Sequence, residues 1–89
     1  MLVHAAHPEI ANRLKRAHGH LKRILEMMEE GRPCLDLAQQ LQAVESAVGN
    51  AKKALIHDHI DLCLEEAVRA GRQSPAEMLD EIKTLTKYL

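Results

Sequence analysis

Apolar residues recur along the chain at alternating intervals of four and three. The first run is Ile10, Leu14, Ala17, Leu21, Ile24 and Met28. This spacing keeps the side chains on one stripe of a helix. Pro8 suits the first turn, where a missing N–H would have no helical partner in any case. Gly31 reads as the C-terminal cap and Pro33 as the stop.

No proline occurs between Pro33 and Pro75, and Leu37, Leu41, Val44, Val48, Ala51, Leu55 and Leu62 continue the stripe, with a gap only at Asp58. The pattern predicts one long helix over residues 34–70, closed by Gly71 and about 50 Å from end to end. Gly49 is its internal weak point. It lowers helix propensity, yet its bare backbone also admits a close neighbour. A third helix opens at Ser74-Pro75-Ala76-Glu77, where Ser74 caps, Pro75 fits the first turn and Glu77 completes a capping box. Met78, Ile82, Leu85 and Leu89 follow at helical spacing, and residues 1–6 read as a mobile arm.

The expected fold is therefore all-α: a single domain, residues 1–89, of three helices with one long central helix. Two short helices cannot cover the stripe of so long a rod. A second copy must cover the remainder, which predicts an antiparallel dimer with a four-helix core and a dimer of dimers beyond it.

Composition supports helix-on-helix packing, since Tyr88 is the only aromatic residue and the apolar content is aliphatic. The net charge of −1 says little, but its distribution says more. Arg13, Lys15, Arg16, Lys22 and Arg23 fall in a stretch without an acid, whereas the acids gather later in the chain. Such a row is either a solvated face or a footprint for an anionic partner such as DNA. His18 and His20 stand inside it and read as surface or DNA-facing residues. No signal peptide or membrane-spanning run is evident, so a cytoplasmic chain is expected, in which Cys34 and Cys63 persist as thiols.

His59 and Cys63 are four residues apart and share one helix face, a usable metal-binding pair. Cys34 opens the long helix, where the positive end of the dipole favours the thiolate that metals bind. Within one chain it cannot reach the pair, because about 37 Å of helix intervenes. Two antiparallel copies bring Cys34 of one beside His59 and Cys63 of the other. The same pairing sets Leu41 against Leu55 and Val44 against Ala51, and brings Val48 to its own mate near Gly49. His4 or His7 of the arm can add a fourth ligand, whereas His57 points to another face. Two thiolates and one imidazole suit Cu(I); an added imidazole suits Ni(II) or Co(II), and the arm favours the latter two.

Arg13-Leu14-Lys15-Arg16 followed by Gly19, Cys34, the segment Gln39-Gln40-Leu41-Gln42-Ala43, and His57-Asp58-His59-Ile60-Asp61-Leu62-Cys63 together resemble the CsoR/RcnR family of metal-responsive repressors. The resemblance implies a disc-shaped tetramer that binds operator DNA without a helix-turn-helix and releases it when the inducer binds. It implies Cys34, His59 and Cys63 as metal ligands. It also implies Arg13, Lys15, Arg16, Lys52 and Lys53 as DNA-contacting residues. The chain departs from copper-type relatives at Pro33, where those often have tyrosine, and at His20, where the family has glutamine. The segment His4-Ala5-Ala6-His7-Pro8 is more similar to the nickel- and cobalt-responsive branches.

Two other readings compete. A thiol redox or persulfide sensor would use Cys34 and Cys63 alone, and His59 speaks against it. A metal carrier would need no basic row. Enzymatic activity is not expected, because no phosphate loop, paired-carboxylate pocket or nucleophile–base arrangement is present.

Overall fold

The computed structural model describes residues 7–70 and 75–89, apart from the side chains at positions 63, 66, 67, 69, 70 and 75. Three helices are described: α1 (Pro8–Glu29), α2 (Cys34–Ala70) and α3 (Pro75–Thr86). The predicted arm, Gly71 and Ser74 lie outside the described residues. No described helix is long and apolar enough to cross a membrane.

The turn between α1 and α2 follows from one glycine. Gly31 has φ +75°, a left-handed conformation that a side chain disfavours. Its N–H donates to the Met28 carbonyl at 3.1 Å, and the Arg32 N–H donates to the Met27 carbonyl at 3.1 Å. These crossed bonds form a Schellman cap, which satisfies carbonyls left unpaired at the helix end. Pro33 then does more than stop α1. Its carbonyl accepts the Leu37 N–H at 3.2 Å, the first bond of α2. Asp36 sits in the first turn of α2, where the dipole favours a negative charge.

The chain divides into two compact units. One spans residues 7–51 and the other is centred on residues 52–89. In the first, Ala17, Ile24 and Met27 of α1 and Val44 and Ala51 of α2 are buried. Burying Ile24, which is only 2% exposed, contributes about 1.5–3 kcal/mol. A hydrogen bond from His20 Nε2 to Gln40 Oε1, 2.6 Å long, ties the two helices.

The buried line of α1 is not centred on the predicted stripe. Ala17, His20, Ile24 and Met27 form the inward line, so Met27 replaces Met28 there. Leu14, Leu21, Leu25 and Met28 remain exposed on a flank roughly 90° around the helix. The apolar arc of α1 is thus wider than α2 of the same chain covers. On α2, Leu41, Val48 and Leu55, spaced by seven residues, stay 43%, 43% and 41% exposed.

In the second unit the inward residue of α2 is Ile56, which the stripe reading passed over in favour of Leu55. Met78, Ile82 and Leu85 of α3 are half-buried, and α3 ends at Thr86, before Leu89. The link between helices is again polar: His59 Nε2 lies 2.7 Å from Glu81 Oε1.

Candidate metal centre and basic face

His59 is the best-defined candidate ligand. Four residues before Cys63 on α2, it stands with its side chain only 14% exposed against a Glu81 carboxylate only 18% exposed. A carboxylate accepts, so the ring donates from Nε2. That orients the imidazole. Metal-bound histidines characteristically have such a carboxylate behind them, because it orients the ring and raises its basicity. The histidine borders a cavity of about 660 Å³, whose walls include Leu55, Ile56, Glu77, Asp80 and Glu81.

Glu81 was not foreseen, although a signal for it exists. It lies three residues after Met78 and four before Leu85, so it is a carboxylate set within an apolar stripe. An acid in such a place needs a partner, and a histidine on the facing helix supplies one.

The other predicted donors are less gathered. Cys34 is the first residue of α2, and its thiol is free and exposed. His7 is the N-cap residue of α1. Its side chain makes no cap bond, although its carbonyl accepts the Ala11 N–H at 2.7 Å. The Cys63 side chain and His4 lie outside the described residues. Among the described residues of a single chain, no three His, Cys, Asp or Glu side chains are grouped to hold a metal.

The basic residues divide by partner. Arg23 is held by Glu30 at 3.1 Å and Glu26 at 3.2 Å, and these carboxylates, Glu30 foremost, raise its guanidinium above the ordinary value. Arg13 makes a single exposed pair with Glu9 at 3.2 Å. Lys15 and Arg16 are exposed on the same helix, and Lys52 and Lys53 are exposed on α2. The cations nearest the start of α1 therefore remain available, while Arg23 is already neutralised by its own helix.

A half-buried histidine bonded to a carboxylate, an exposed thiol opening the same helix and an exposed basic row make this chain a candidate for metal-dependent regulation. Comparison with known proteins is consistent with that class. The chain belongs to the metal-sensitive transcriptional repressor family, whose sequence profile matches residues 6–88. It is 40% identical over 74 residues to the copper-sensing transcriptional repressor CsoR of Mycobacterium ulcerans, covering 81% of this chain but only 63% of that protein. It is 38% identical to the copper-sensing repressor CsoR of Bacillus subtilis, covering 89% of this chain and 80% of that one. Among solved structures it resembles the nickel-responsive transcriptional regulator InrS, with a TM-score of 0.80, 28% identity, and coverage of 99% of this chain and 100% of that one. The relatives thus include both copper- and nickel-type proteins.

Proposed function

We propose that this chain is a cytoplasmic repressor whose metal-free oligomer holds operator DNA and whose metal-bound form releases it. The observation that carries the reading is the His59–Glu81 bond, which presents an oriented imidazole one turn from Cys63. In this reading His59 and Cys63 of one chain and Cys34 of the partner subunit hold the metal. Arg13, Lys15, Arg16, Lys52 and Lys53 face the DNA phosphates. Drawing the exposed Cys34 toward the partner's pair favours a conformer that fits DNA less well. Metal and DNA then weaken each other's binding equally, by about 1–3 kcal/mol.

The oligomer is an antiparallel pair of long helices, doubled to a tetramer. Leu41, Val48 and Leu55 support it, because their exposure in a single chain leaves a seam for a second copy. A Cβ placed on Gly49, beside that seam, would meet no described atom within 4 Å outside its own helix backbone, which leaves room there for close approach. Sedimentation of the metal-free protein tests this arrangement; a monomer at micromolar concentration would overturn it.

The favoured inducer is Ni(II) or Co(II), with His4 or His7 joining the three ligands. A Cu(I) reading is favoured by the copper-sensing relatives and by the sulfur-rich donor set. Titration of His4→Ala and His7→Ala separates the two, since Ni(II) affinity unchanged in both variants points to copper. The repressor reading itself is tested by mobility shift with the promoter upstream of the protein's own gene. DNA affinity that stays constant through saturating Ni(II), Co(II) and Cu(I) overturns it.

A further inference from the structure

The inward line of α1 carries one polar side chain, His20, among the buried Ala17, Ile24 and Met27. The inward line of α2 carries Gln40 between Leu37 and Val44. The two polar groups meet: His20 Nε2 donates to Gln40 Oε1 at 2.6 Å, in a half-buried setting. Among the described residues this is the one side-chain hydrogen bond that joins α1 to α2. Aliphatic burial has no direction, so neighbouring alignments of the two helices bury nearly the same area. A hydrogen bond has both direction and a short range. The pair therefore specifies how far α1 lies along α2. Gln40 is six residues after Cys34, about 9 Å along α2. His20 is one turn after Arg16, on the helix that carries the basic row. The bond thus links the helix that the exposed Cys34 thiol opens to the helix that carries the cations.

We propose that the His20–Gln40 bond is the latch between metal and release, formed in the arrangement that holds DNA and broken in the one that holds metal. The proposal rests on the repressor reading above and adds to it the element that changes state. Cys34 directly follows the α1–α2 turn, so drawing it toward a partner subunit displaces the first turns of α2 against α1. Leu37 and Val44 slide over aliphatic neighbours, whereas Gln40 parts from His20. Part of the free energy of metal binding then goes into breaking the bond. Removing the bond beforehand raises the population of the metal-competent arrangement, and metal affinity rises with that population. A residue that only touched DNA would have no such effect on metal.

The test uses the full-length, metal-free protein in the absence of DNA. Ni(II), and separately Cu(I) under anaerobic conditions, is titrated in against a competing chelator. His20→Ala and Gln40→Ala each raise metal affinity about two- to tenfold, as expected for the loss of one hydrogen bond. The double variant gains no more than either single one, since the two residues form one bond. His20→Gln, whose amide can donate to Gln40, stays nearer to wild type than His20→Ala does. With a duplex from the promoter upstream of the protein's own gene added, both alanine variants release DNA at lower metal concentrations than wild type in a mobility shift. The aliphatic core of the hairpin is intact in every variant, and circular dichroism checks the fold.

Unchanged metal affinity in both alanine variants overturns the latch. So does a fall in affinity, which would put the bond in the metal-holding arrangement. Gains that multiply in the double variant overturn it too, because they could not come from a shared bond. In each of these cases the wild-type response to metal stands. A wild-type protein that binds neither metal, or whose DNA affinity ignores bound metal, overturns the repressor reading itself and the latch with it.

Discussion

The two compact units use the same device, a histidine on one helix bonded to a side chain on the next, in different settings. In residues 7–51, His20 meets a neutral amide, and five buried aliphatic side chains from two helices surround the pair's elements. In residues 52–89, His59 meets a carboxylate beside a large cavity, and Ile56 is the buried aliphatic side chain among the described residues. A histidine–amide pair in a packed hairpin ties two helices together. A carboxylate–imidazole pair beside open space would suit a metal ligand, because the carboxylate orients the ring. In the proposed reading the first unit keeps a shape until the second responds.

Substitutions can break or sharpen that contrast. The largest expected effect is from His59→Ala, which should abolish metal-dependent release while DNA binding without metal persists in a mobility shift. A thiol redox sensor would retain its response, so this variant also separates the competing reading. Next is Ile24→Ala, which empties the core of the first unit. Chemical denaturation should show a loss of about 2–4 kcal/mol, with DNA affinity falling alongside it. Smaller is Glu81→Gln, which keeps the shape but removes the charge behind His59. Metal affinity should fall about 10- to 100-fold in a competition titration, with DNA affinity intact. Should Glu81→Gln and His59→Ala leave metal affinity unchanged, the second unit is not the responsive one. The smallest effect is expected from Gly31→Ala, which forces a side chain into the left-handed cap and should cost about 1–2 kcal/mol by thermal melting.

The helices were legible because their signals are local. Pro8, Gly31, Pro33 and Pro75 punctuate the chain, and the apolar intervals supply the period. The inward faces were less legible, for a physical reason. A stripe read from sequence is the sum of everything a helix touches, whether in its own chain or another. Met27 faces α2 and Met28 does not, yet both belong to one wide apolar arc. Ile56 was hidden similarly, because Leu55 continues the seven-residue seam while Ile56 is the residue buried within the chain. At the candidate site, Cys34, His59 and Cys63 were proposed from residue type and spacing, whereas Glu81 depended on which face α3 turns to α2.

The seam of Leu41, Val48 and Leu55 has a consequence for assembly. A pattern that repeats every seven residues matches itself again after a slip of one repeat, so hydrophobic fit alone permits two nearly equivalent alignments of a pair. In the proposed pairing only one alignment would bring sulfur to imidazole. Newly made chains would thus partition between a competent and an incompetent partnership, and a bound ion would act as proofreader, withdrawing correctly matched pairs from the exchange.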